Sequence, residues 1–189
     1  MPMQLQDATE YGLFKRGVIA SGGALLLALA ACSSPQTPSR QADPIDQITL
    51  KRRACYGTCP VYEVSVASDG SVRFVGQEYV EQHGVAHATI APEHWQRLLT
   101  AVEDADFFSL QRRYAPHDGC IEGMTDQPSY RISVSRAGKV KRVVVYEGCK
   151  STPALEAASG LGRMIDTELG TARWIGRGCE VGSVEAWCY

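Results

Sequence analysis

VYEVSVASDGSVRFVGQEYV, residues 61–80, is the stretch whose reading decides the fold. Tyr62, Val64 and Val66 alternate with polar neighbours, and Val72 and Phe74 continue the pattern on even positions. Period-two alternation broken by Asp69-Gly70 is the signature of a β-hairpin with one buried face. Cross-strand partners share a face, so the loop must keep the even positions together. A two-residue turn at Asp69-Gly70 sets Val66 against Arg73 and spoils that match. A three-residue loop with a bulge near Gly70 is therefore expected, setting Val66 against Phe74.

The flanks extend the sheet. QITLKRR (47–53) reads as a strand before the hairpin and VAHATI (85–90) as one after it. APEHWQRLLTAVEDADF (91–107) is the clearest helix. Trp95, Leu98, Leu99 and Val102 fall at i, i+3, i+4 and i+7, and Pro92 suits a first turn. Phe107, Phe108 and Leu110 then cap the core. SYRISVSRAGKVKRVVVYEG (129–148) reads as a second hairpin turning near Ala137-Gly138. STPALEAASGLGRMIDTEL (151–169) reads as a second helix, with Thr152 as N-cap and Pro153 as its first residue. Leu155, Ala158, Ile165 and Leu169 form its stripe, weakened by Gly160 and Gly162. This order predicts an α+β fold: an antiparallel sheet built from two hairpins plus flanking strands, with two helices packed on one face. The basic runs LKRR (50–53) and KVKR (139–142) read as edge-strand protection, with binding of anionic lipid or glycan as the alternative.

The amino terminus carries the strongest signal. Lys15 and Arg16 precede GVIASGGALLLALAAC, a run too short for a comfortable membrane span and suited to the apolar core of a secretory signal. LALAAC (27–32) resembles the lipobox of bacterial lipoprotein precursors. That resemblance implies cleavage between Ala31 and Cys32, a diacylglyceryl group on Cys32 and acylation of its new amino terminus. Several acyl chains give stable attachment to a bilayer, where one chain binds only reversibly. By likeness to lipoproteins of Gram-negative bacteria, Ser33 after the cysteine favours the outer membrane, facing the periplasm, over the inner one.

The expected organisation is a signal peptide at 1–31, the lipidated Cys32 with a flexible tether over 32–46, and one disulfide-stapled domain over 47–189. SSPQTPSRQADP (33–44) has the polar, proline-rich composition of such a tether. The 189-residue chain has a formal charge of −2, and the leader's charges cancel. Near neutrality and an envelope location argue against a nucleic-acid partner. The expected partners are the bilayer, through acylated Cys32, and an envelope protein or glycan.

Seven cysteines less Cys32 leave six, at 55, 59, 120, 149, 179 and 188. An even set in an oxidising compartment reads as disulfides, with fifteen formal pairings. If the second hairpin turns at 137–138, residue 149 lies opposite about residue 126, at the same end as Cys120. A Cys120–Cys149 bridge would close about 30 residues, worth roughly 3–4 kcal/mol, and tie down the long 112–128 loop. Cys179–Cys188 would lock the C-terminal tail, worth roughly 2–3 kcal/mol. Cys55–Cys59 completes the scheme.

ACYGTCP (54–60) also invites chemistry. Reactive thiol pairs use two intervening residues at a helix N-terminus. Here three residues intervene and a strand follows, so a structural staple is favoured. Copper binding or thiol exchange by Cys55 and Cys59 is the alternative, since soft thiolates suit Cu(I). His83, His87, His94 and His117 are available as further ligands, with no sequence context selecting one. His83 and His87 share a face if extended, but no third zinc ligand is indicated. His117, Asp118, Glu122 and Asp126 form a candidate binding loop whose spacing is not that of an EF-hand. Asp126 before Gln127-Pro128 more simply fixes a turn by bonding its own backbone. No nucleophile elbow, phosphate loop or paired-carboxylate motif stands out, and no cofactor is implied.

The segment ITLKRRACYGTCPVYEVSVASDGSVRF (48–74), with its C-x-G-x-C-P motif, resembles an uncharacterised bacterial envelope domain family often found in lipoproteins. FF-x-L (Phe107, Phe108, Leu110) and TD-x-P (Thr125, Asp126, Pro128) extend the likeness to about Asp166. The resemblance implies domain boundaries and supplies no catalytic residues. The reading is thus a membrane-anchored periplasmic lipoprotein acting as a non-enzymatic envelope binding or structural module, through a sheet face or the 112–128 loop.

Overall fold

The alternation in residues 61–80 becomes two paired strands in the computed structural model, which describes residues 44–121 and 123–176. The order is β1 (Ile45–Arg52), β2 (Val61–Ala67), β3 (Ser71–Glu78), β4 (Gly84–Thr89), α1 (Pro92–Asp104), β5 (Arg113–Tyr114), β6 (Ser129–Arg136), β7 (Lys139–Tyr146), α2 (Pro153–Leu169) and α3 (Ala172–Ile175). The strands form one sheet in the order β4-β3-β2-β1-β6-β7-β5. Every pairing is antiparallel except that of the two-residue β5 with β7.

The first hairpin keeps the three-residue loop, Ser68 to Gly70, but its register differs from expectation. Val66 faces Val72, and Val64 faces Phe74. Gly70, at φ +82°, turns its N–H onto the Ala67 carbonyl at 2.9 Å, and Asp69 Oδ1 accepts the Ser71 N–H. The chain therefore re-enters the strand at Ser71, two residues earlier than the expected register allowed. Parity is unchanged, so the even positions still share the buried face. The second hairpin turns where expected. Ala137 and Gly138 both have positive φ, as a two-residue type I′ turn requires, and Arg136 faces Lys139.

Two elements correct the sequence reading. LKRR does not guard an edge: β1 is the central strand, flanked by β2 and β6. Strand β1 also starts at Ile45, inside the segment assigned to the tether. Ile45 is buried, and the Asp46 carboxylate accepts from Ser135 Oγ and the Gly138 N–H.

All three helices contribute to a single core against one sheet face. Ile48, Leu50, Val64, Phe74, Ile132 and Val143 supply the sheet side of it. Trp95, Leu98 and Val102 of α1 are buried as the stripe predicts, with Leu99 half-buried. In α2, Thr152 Oγ1 accepts the Leu155 N–H, and Gly170 ends the helix in the left-handed conformation. Gly162 lies against Tyr130, where a Cβ would stand 3.3 Å from the ring. Close approach to the sheet thus explains a glycine that propensity alone disfavours. The short α3 was not foreseen. Its Trp174 stacks on Phe74 with ring centroids 4.8 Å apart.

The other sheet face carries Thr49, Lys51, Glu63, Ser65, Arg73, Arg131 and Ser133, and no described helix covers it. Among the described residues no helix is long and apolar enough to cross a membrane.

Candidate functional site

Three connections gather at the end of the sheet where β1 stops and β2 begins. Cys55 and Cys59 are bonded across the β1–β2 link, Cα atoms 5.8 Å apart. Cys120 and Cys149 are bonded, Cα atoms 5.4 Å apart, tying the 112–128 loop to the segment after β7. Backbone bonds complete the joinery. The Tyr56 N–H donates to the Asp126 carbonyl, the Met124 N–H to Gly148, and the Lys150 N–H to Ile121. Tyr146 donates its hydroxyl to the Met124 carbonyl and accepts the Gln127 N–H. Gly123 and Gly148 pass so closely that neither leaves room for a Cβ. A depression of about 430 Å³ lies between Gly123, Met124, Glu147, Gly148, Cys149 and Lys150. Met124, which lines it, is 63% exposed, and on the same group of connections Tyr56 and Ile121 are 87% and 55% exposed.

Behind this end lies a polar cluster inside the core. Arg52 follows Ile48 and Leu50 on the buried face of β1, and Tyr62 precedes Val64 on that of β2. Asp166 reaches them from α2, itself only 6% exposed. Its Oδ2 accepts from Arg52 Nη2 at 2.7 Å and Nε at 3.0 Å. Its Oδ1 accepts from the Tyr62 hydroxyl at 2.6 Å and Thr171 Oγ1 at 2.9 Å. The Tyr62 oxygen accepts from Arg52 Nε, and Arg52 Nη1 reaches Glu147 at 3.0 Å. A carboxylate offers about four lone-pair directions, and all four are used. Burial pulls the Arg52 guanidinium down, but Asp166, Tyr62 and Glu147 outweigh it and hold the group above its ordinary value. Burial, then the Asp166 charge, pushes the Tyr62 phenol well up. Burial also pushes the neighbouring Tyr130 phenol up to about 12. The cluster therefore holds its protons tightly and fastens α2 to the central strand. It offers no free acid or base.

A second cluster joins the helices. Glu168 accepts from Arg97 Nε and Nη2 at 2.9 and 2.8 Å, and its Oε2 lies 2.6 Å from His94 Nδ1. The Arg97 hydrogen bonds, opposed by desolvation and aided by His94, hold the Glu168 carboxyl below its usual range.

The residues singled out from sequence separate into distinct places. His94 belongs to the helix–helix cluster. His83 Nδ1 lies 3.0 Å from the Gln77 carbonyl, before β4, while His87 stands on β4 opposite Arg73. His117 and Asp118 form a tight turn in which Ala115 and Asp118 exchange backbone bonds. His117 and Asp126 both have positive φ, a conformation that His and Asp tolerate better than most residues. The polar character of this loop thus serves its turns. Asp126 does not bond its own backbone through its side chain, as expected; the carboxylate accepts from Thr125 Oγ1. Among the described residues no three His, Cys, Asp or Glu side chains gather around a metal-sized site. Cys32, Glu122, Cys179 and Cys188 lie outside the described residues.

The Arg52–Tyr62–Asp166 cluster was missed although a signal existed. Arg52 is in phase with Ile48 and Leu50, so the strand pattern itself places a charge on the core face. Comparison with curated proteins gives no match. A family model covers residues 46–161, including both described disulfides and, apart from Ile45, the seven described strands, and stops five residues short of Asp166. Over that span, more than half its length, the chain belongs to the DUF6438 family, a domain of unknown function.

Proposed function

We propose that the chain is a periplasmic lipoprotein, held at the outer membrane by acylated Cys32, whose domain acts as a non-enzymatic envelope binding or structural module. The stapled end of the sheet is its contact surface. The observation that carries this reading is the display of Tyr56, Ile121 and Met124 on loops fixed by two disulfides. Rigid loops with exposed aromatic and apolar side chains bind with little ordering cost, which is the usual economy of a recognition surface. The polar groups beneath are saturated by one another, which suits a scaffold for that surface. Met124 also lines an open depression large enough to receive one or two side chains of an envelope protein.

The test has two parts. Intact mass of the protein from the membrane fraction should fit a chain beginning at Cys32 with a diacylglyceryl group and an N-acyl chain. A chain cleaved elsewhere and unmodified rejects the anchor. Photo-crosslinking residues placed at 56 and 124 in living cells should yield a shared protein adduct, while position 100, exposed on α1, should not. The same products from all three positions, or none from 56 and 124, reject the contact surface.

A further inference from the structure

We propose that the helix-free face of the sheet docks on an anionic lipid bilayer through its headgroup phosphates. The proposal rests on the tethered-lipoprotein reading, because it needs a bilayer within reach. Twelve residues separate Cys32 from Ile45, and twelve residues extend to about 40 Å at most.

The face is defined by register. One row across the sheet runs Val85, Val75, Glu63, Lys51, Arg131, Val144, Arg113. The adjacent row runs His87, Arg73, Ser65, Thr49, Ser133, Arg142. Lys51, Arg73, Arg113, Arg131 and Arg142 thus lie on two neighbouring rows. Glu63 is the acid of those rows, 3.4 Å from Lys51. Asp118 lies 3.8 Å from Arg113, both groups well exposed, a geometry worth little in water. Basic and acidic side chains are equal in number among the described residues, so this excess reflects sorting rather than composition. On α1 and α2 acids outnumber bases, Glu93, Glu103, Asp104, Glu156 and Glu168 against Arg97 and Arg163, while Arg136, Lys141 and Arg173 add cations elsewhere on that side.

One further feature selects lipid. Val85 and Val140, 50% and 44% exposed, also lie on this face, on β4 and β7. Cations set among exposed valines across a face about 24 Å wide from β4 to β7 at ordinary strand spacing match the interfacial zone of a bilayer better than a hydrated polysaccharide.

The probe is vesicle sedimentation of the chain from Ser33 to Tyr189, which keeps the entire core and lacks the acyl anchor. Binding is expected to vesicles of phosphatidylcholine with phosphatidylglycerol and not to phosphatidylcholine alone, and it should weaken with added salt. Replacing Arg73→Gln and Arg142→Gln, both exposed, should lower partitioning about 25-fold, taking about fivefold per surface cation. Arg163→Gln, an equal charge change on α2, should leave it within about twofold. No phosphatidylglycerol-dependent binding overturns the proposal. Equal losses in the face pair and in Arg163→Gln overturn it too, since net charge would then suffice. Binding to an acidic polysaccharide without vesicle binding overturns it in favour of a glycan. None of these outcomes touches the acylation of Cys32, which the mass measurement decides separately.

Discussion

Replacing Asp166→Ala removes the acceptor around which the core cluster is built. Arg52, its side chain 12% exposed, would keep a guanidinium inside the fold with Glu147 as its remaining ionic partner. Breaking a buried pair on one side costs about 3–5 kcal/mol, because the other charge stays desolvated. Four charge-assisted hydrogen bonds taken singly, at about 1.5–3 kcal/mol each, would exceed that figure. They share one carboxylate, however, and are not additive. Glu147→Ala, by contrast, removes an acid with a 36% exposed side chain and should cost about 0–1 kcal/mol. Urea denaturation of the disulfide-intact chain, with linear extrapolation, measures both. The expected result is a loss several times larger for Asp166→Ala than for Glu147→Ala, with a fall in Tm of roughly 10–15 °C for a domain of this size. Arg52→Met combined with Asp166→Ala should cost clearly less than the sum of the single changes. If Asp166→Ala lies within about 1 kcal/mol of the parent, the cluster is not a lock. The carboxylate would then be hydrated and free to act, and the scaffold argument would fail with it.

Two other outcomes follow from the same geometry. Tyr62 and Tyr130 are held protonated, one well above 10.0 and the other to about 12. Their stabilising effect is therefore complete below the unfolded phenol value and is lost as pH rises through roughly 10 to 12; denaturation across that range should show stability falling, and phenolate absorbance reaching completion near pH 10 without unfolding would contradict it. Removing Cys120–Cys149, which spans 29 residues, should cost about 3–4 kcal/mol, and removing Cys55–Cys59, which spans 4, about 2 kcal/mol in the chain-entropy model; the reverse order in urea midpoints would show that the short ring holds more than its own turn.

How much of this was legible depends on the range of the signal. Periodicity is local, so both hairpins, the strip of even-numbered core residues and the α1 stripe could be read directly. The second hairpin could be placed because Gly138 punctuates two alternating runs, although its Ala137 adopts the left-handed conformation that Ala ordinarily avoids. The first slipped by two because parity fixes a face and leaves the register free. Strand order is a long-range property, and nothing within LKRR says that β1 lies between β2 and β6. The same residues were therefore misread as edge protection. In the 112–128 loop, composition admits both a binding surface and a set of turns. His117 and Asp126 occupy left-handed positions, as turns use, a feature that only the backbone shows.

Arg52 brings the two faces of the problem together. On a strand, LKRR sends alternate cations to opposite sides: Lys51 outward and Arg52 inward. A charge turned into a core is tolerated only if the fold supplies an acceptor, so Arg52 on the buried face of β1 requires one. Asp166, beside Ile165 and one turn before Leu169, was the acid set among α2's core positions that could answer. Lys51 and Arg131, turned the other way, have no such requirement to meet within the core. Glu63, directly across from Lys51, balances that residue, and Arg131, between Lys51 and Val144, has no acidic cross-strand partner. One basic run thus divides between the two faces: Arg52 meets its acid, Asp166, inside the core, and Lys51 meets Glu63 on the open face.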